Sequence, residues 1–193
     1  MSRFLRAASL LLILASCGAN YSPPSNLDDA CAIVRERPSY LRAMRTTERR
    51  WGVPINVQLA TIHQESKFVG NARTPYRFAL GVIPMGRASS ALGYAQVLDS
   101  TWEDYKRETG NYGANRKNIR DATDFMGWYM DKASRSAGIP KTDARDQYLA
   151  YHDGIAGFQQ RSYASKSWLI AVAAKVQVRS DLYAGQLQSC GIR

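Results

Sequence analysis

TIHQESKFVG, residues 61–70, closes an apolar run and sets a histidine and a glutamate two positions apart. Upstream, Pro54 opens a helix that carries Ile55, Leu59 and Ile62 on one stripe, the spacing of a helix packed along one face. At about 100° per residue, Glu65 lies roughly 60° from Ile62, on the margin of that stripe. A carboxyl group there is partly desolvated, which raises its pKa and keeps it protonated as a general acid. The same position suits an ordinary boundary glutamate, so periodicity alone leaves Glu65 open between the two. His63 falls within about 40° of Leu59 and reads as a packed core histidine.

Outward from this helix the pattern stays helical on both sides. Pro38 opens a preceding helix that turns Leu41, Met44 and Trp51 inward and ends at Gly52. Between Gly70 and Leu92 the pattern fails. Gly70, Pro75, Gly81, Pro84 and Gly86 interrupt short apolar pieces such as FALGVI, as in a long loop or small hairpin. Ser100 and Glu103 form a capping box for a helix bearing Trp102 and Tyr105, stopped by Gly110. Asp121 is placed to cap a helix with Phe125, Trp128 and Tyr129, and Thr142 a short one through Tyr148 and Tyr151. DGIAGFQQ, residues 153–160, is a loop into a last helix carrying Leu169, Val172, Val176, Tyr183 and Leu187. The expected fold is mainly α: one domain over residues 28–193, with an irregular or hairpin insert after the Glu65 helix.

The 193 residues are 45% apolar and 22% charged, enough for one substantial core, and the formal net charge of +10 points to an anionic partner. Arg3 and Arg6 precede the apolar run of residues 7–16, too short to span a bilayer, which reads as an export signal. LASC, residues 14–17, resembles a bacterial lipobox, in which cleavage precedes the cysteine and the thiol is diacylated. Residues 1–16 are then a lipoprotein signal peptide, Cys17 is a membrane anchor, and residues 17–27 are the lipidated cysteine and a polar, proline-bearing tether. Gly18 follows Cys17 where aspartate would favour inner-membrane retention, so the expected place is the periplasm, at the inner leaflet of the outer membrane. Export removes nucleic acid as the anionic partner. In that oxidising compartment Cys31 and Cys190 are expected to form a disulfide. His63 and His152 lack metal-ligand spacing to a cysteine, so no metal is expected, nor any other cofactor.

Two further segments bear on Glu65. ALGYAQ, residues 91–96, precedes one helix, and LAYHDG, residues 149–154, ends another. A glutamate-serine pair closing an apolar helix, then a G-x-x-Q turn, then an A-Y-x-x-G helix end resembles the goose-lysozyme-type lytic transglycosylases. The likeness runs from about Pro54 to Gly154 and implies a lysozyme-like fold and peptidoglycan glycan strands as the substrate. It implies that Glu65 is the catalytic acid and base, with Ser66 in the same site. Gly93, Tyr94 and Gln96 then belong to the turn lining the sugar groove, and the Tyr151 hydroxyl orients the glutamate. Tyr94 and Ala95 stand where the family usually has leucine and methionine, and His152 where it has asparagine.

The chemistry has its own argument. Glycosidases normally use two carboxyl groups, and none occurs between Lys67 and Leu92. Asp99, Glu103 and Asp153 are the nearest candidates, and Glu103 is taken up by the expected cap. A single acid favours help from the substrate's own C6 hydroxyl, giving an anhydromuramoyl end. Tyr94, Tyr76 and Phe78 offer faces for sugar stacking, and Lys67, Arg73, Arg77 and Arg87 offer charge to stem-peptide carboxylates or form a solvated basic loop. A lysozyme-type muramidase using Asp99 or Asp153, and a non-catalytic peptidoglycan-binding lipoprotein, are the competing readings.

Overall fold

The computed structural model describes residues 21–192, so the signal peptide and Cys17 lie outside the described residues. Helices α1 (Ala30–Glu36), α2 (Pro38–Trp51) and α3 (Ile55–Ser66) follow one another with short breaks. A two-stranded antiparallel sheet, β1 (Tyr76–Ala79) and β2 (Ile83–Arg87), stands between α3 and α4 (Asp99–Thr109). Then come α5 (Ile119–Ala137), α6 (Ala144–Asp153), the short α7 (Ile155–Gln159) and α8 (Ser167–Ser189). The mainly helical fold with its hairpin insert is the one expected.

The helix limits have local causes. Pro38 occupies the first turn of α2, where its missing N–H costs nothing, and Gly52 stops the helix in the left-handed conformation. The expected capping box at Ser100 does not form. The α4 N-cap is Leu98, which offers no side-chain acceptor, and the Asp99 N–H donates instead to Ser90 Oγ at 3.0 Å. Asn118 rather than Asp121 caps α5, and Asp143 rather than Thr142 caps α6. Asn118 sits three residues before the expected cap and Asp143 one residue after it, and each accepts from a first-turn N–H. DGIAGFQQ is also not simply a loop, since it contains α7.

The core wraps α3. Val57, Leu59, Ala60 and Ile62 are buried between α8 and the α2/α5 pair, and α6 closes the bottom by packing on α8. An aromatic cluster of Trp102, Tyr105, Phe125 and Trp128 holds α4 to α5. Within it the Asp124 carboxylate accepts from Tyr105 Oη, Trp51 Nε1 and Arg50, satisfying a buried charge. The expected bridge joins Cys31 on α1 to Cys190 after α8, closing a separation of 159 residues. Residues 21–27, read above as the end of a tether, are tied to the domain. Tyr21 accepts a hydrogen bond from the Gly70 N–H, Ser25 donates to Glu36, and Leu27 accepts from the Tyr183 hydroxyl.

Candidate functional site

Glu65 occupies the last turn of α3, where the helix stops because Lys67 and Phe68 both turn left-handed (φ 51° and 63°). Phe68 meets the cost of that conformation by full burial against Tyr40. The Glu65 side chain enters the wall of a cleft of about 510 Å³ walled also by Gln96, Phe125, Tyr129 and Tyr151. Burial among these rings removes the carboxyl from water and pushes its pKa up to about 7, and a hydrogen bond from the Tyr148 hydroxyl partly offsets this. The nearby C-terminal end of α3 adds negative potential in the same direction as burial. The desolvation expected from the stripe margin is therefore present.

The turn at residues 91–97 forms the opposite lip. Gly93 has φ +81°, and a Cβ there would stand 2.1 Å from the Arg116 carbonyl oxygen, so only glycine fits. The Gln96 amide group donates to the Gly93 and Ala72 carbonyls at 2.8 and 3.0 Å. That brace leaves Gln96 on the cleft wall. Tyr151 Oη donates to the Ala95 carbonyl at 2.6 Å, which fastens this turn to α6.

Several expected site residues are placed differently. The hydroxyl on Glu65 comes from Tyr148, one turn before Tyr151 on the same face of α6, while Tyr151 holds the turn. Tyr94 does not offer a sugar platform. It is 3% exposed, turned inward to share a hydrogen bond with Tyr40 at 3.1 Å and to pack over Gly70. The buried Ser66 hydroxyl donates back to the Ile62 carbonyl, at 3.4 Å, rather than facing the cleft. His63 is half-buried instead of in the core, edge-on to Tyr183 with Lys67 Nζ 3.2 Å from its Nδ1. Burial and the Lys67 and Arg179 charges push it down to about 4, so it is neutral at pH 7. Tyr76 and Phe78 stand on the exposed hairpin, outside the cleft wall. Lys67, Arg73, Arg77 and Arg87 also lie outside that wall.

Sequence reasoning missed Tyr148, Thr74, Ser89 and Thr101, the last three being hydroxyls on the cleft wall. Tyr148 was within reach, since it is three residues from Tyr151 on one helix. The hydroxyls carry no sequence signal, because only the folded hairpin base brings residues 74 and 89 together, where Thr74 Oγ1 donates to the Ser89 carbonyl at 2.9 Å.

The two rival carboxylates are both engaged. Asp99 pairs with Arg116 at 2.6 Å outside the cleft. Asp153 does line the cleft, but one of its oxygens accepts from Lys166 and the other from Ser162. These contacts hold its pKa below the ordinary carboxylate range.

A family model described as a Transglycosylase SLT domain matches residues 5–190. The chain belongs to this family. A comparison with curated proteins found no match. As a transglycosylase SLT domain, the chain has peptidoglycan as its substrate and lytic transglycosylation as its general activity. Within that frame the cleft, with its one carboxyl group pushed toward neutrality by burial and its hydroxyl rim, is the candidate active site.

Proposed function

We propose that this transglycosylase SLT domain cleaves the β-1,4 bond between N-acetylmuramic acid and N-acetylglucosamine, leaving 1,6-anhydromuramoyl ends. The observation that carries the reading is Glu65: a carboxyl held near pKa 7 by burial, in a cleft whose other carboxylate, Asp153, is engaged by Lys166 and Ser162. Glu65 gives its proton to the bridging oxygen as the bond to the muramoyl anomeric carbon breaks, and N-acetylglucosamine leaves as an alcohol. The resulting carboxylate takes the proton of the muramoyl C6 hydroxyl, whose oxygen closes on the anomeric carbon. Glu65 ends protonated and no water is consumed. A pKa near neutrality serves both halves, and the intramolecular hydroxyl is already close to its target. Tyr148 orients the carboxyl, and Gly93 and Gln96 shape the lip that receives the sugar.

The enzyme acts in the periplasm, held by acylated Cys17 to the inner leaflet of the outer membrane. The basic n-region, short apolar run and LASC support this placement. A muramidase reading draws on the position of Asp153 in the same cleft, but a water activated there would first have to displace Lys166 or Ser162. Replacing Glu65→Gln tests the assignment. Release of soluble fragments from purified peptidoglycan is expected to stop while the circular dichroism spectrum is unchanged. Release at the wild-type rate would show that Glu65 is not the acid.

A further inference from the structure

The β1–β2 hairpin carries apolar side chains that neither the core nor the cleft explains. Leu80 is 91% exposed, Val82 76% and Met85 66%, with Phe78 and Ile83 also more than half exposed. A soluble surface rarely groups so many large apolar residues on one projection unless it meets something. The tip makes the point sharper. Leu80 and Gly81 both have positive φ (53° and 76°), and the Val82 N–H closes the turn on the Ala79 carbonyl at 3.2 Å. Asparagine, aspartate or glycine is the favoured choice for such a position, and a leucine there strains the backbone. Leu80 makes no packing contact that offsets this, so folding does not account for it.

Charge narrows the occupant. Arg73, Arg77 and Arg87 flank the apolar tip, and residues 68–91 contain no aspartate or glutamate. Arg87 stacks over the Tyr76 ring at 4.3 Å, which holds a cation beside an aromatic edge. A second copy of the chain would bring the same cations against these and is disfavoured by repulsion. A sugar strand would use the aromatic faces but leave Leu80, Val82 and Met85 in water. Apolar residues at a tip with arginines behind them match a bilayer whose headgroups are anionic.

We infer that the hairpin docks on an anionic phospholipid surface, its tip at the acyl boundary and Arg77 among the headgroups. The inference rests on the lipid-anchored reading for bringing the chain to a bilayer. The four residue-to-residue steps from Cys17 to Tyr21 span at most about 14 Å. Tyr21 is hydrogen-bonded to Gly70, six residues before β1, so the anchor and the hairpin leave the domain from neighbouring points. The anchor then raises the effective concentration of the hairpin at the surface, and a weak contact becomes populated.

The full chain carrying Leu80→Cys, with Cys17 acylated and Cys31 bridged to Cys190, takes an environment-sensitive fluorophore at its one free thiol. It is reconstituted into vesicles of phosphatidylglycerol or of phosphatidylcholine. In phosphatidylglycerol the label is expected to shift to the blue and resist an aqueous quencher. In phosphatidylcholine it stays aqueous, as does a Val178→Cys label on α8 in both. Adding Arg77→Gln lowers the docking constant about fivefold, the worth of one cation at such a surface. A label at residue 80 that stays aqueous on phosphatidylglycerol vesicles overturns the inference. So does a blue shift without lipid that grows with protein concentration, which would make a second copy the occupant. Flotation reports the anchor separately: a chain that does not float with phosphatidylcholine vesicles is not anchored, whatever the label shows.

Discussion

Replacing Glu65→Gln removes the group whose ionisation the fold resists, and the effect on stability has a definite sign. In the unfolded chain Glu65 titrates at its ordinary 4.5, and in the folded protein at about 7. Between those values the native state holds a proton that the unfolded state has lost, so the wild-type protein loses stability as pH rises through that window. Below pH 4.5 both states are protonated and the difference vanishes. Above pH 7 it is complete. At about 1.4 kcal/mol per pKa unit the full difference is about 3 kcal/mol, or roughly 6–12 °C in Tm for a domain of this size. Glutamine keeps the shape, still accepts from the Tyr148 hydroxyl, and carries no charge to desolvate. Urea unfolding of both proteins at pH 4 and pH 8 is the assay. The variant is expected to match the wild type at pH 4 and to exceed it by about 3 kcal/mol at pH 8. Equal stabilities at pH 8, or a less stable variant there alone, would refute the buried-acid argument.

Three other perturbations follow from the same geometry. Tyr148→Phe removes the hydrogen bond that favours the Glu65 carboxylate, so the alkaline limb of the activity profile moves to higher pH while kcat falls about tenfold; a pH–rate profile reads both. Gly93→Ala forces a Cβ onto the Arg116 carbonyl in a left-handed conformation and is expected to cost about 3 kcal/mol or more by urea unfolding, with activity lost as the Gln96 lip shifts. Replacing Cys31 and Cys190 together with serine frees α1 from the end of α8 and is expected to cost about 2–5 kcal/mol, a loss that a reducing agent reproduces in the wild type.

The sequence showed the helical frame because proline, glycine and apolar spacing act locally, as at Pro38, Gly52 and the Ile55–Leu59–Ile62 stripe. It placed Glu65 at a buried margin by the same periodicity. Features decided by distant partners were out of reach. Ser90 caps α4 from nine residues away, which spares Ser100 that task. Tyr94 faces inward because Tyr40, on another helix, offers a hydroxyl and a ring. The choice between Tyr148 and Tyr151 as the partner of Glu65 depends on how α6 is rotated against α3, and both tyrosines fit the same helical face. Between Gly70 and Leu92 the sequence left loop and hairpin open and did not give the strand limits, because the strand residues are nearly all exposed and no alternation marks them.

The central claim is that one carboxyl group and the substrate's own hydroxyl break the glycan strand without water. Digestion of purified peptidoglycan in water enriched in heavy oxygen, followed by mass analysis of the fragments, tests it directly. The account predicts new muramoyl ends that are lighter by one water than reducing ends and free of the heavy isotope. Reducing ends carrying heavy oxygen would contradict it and make Asp153 the residue to explain.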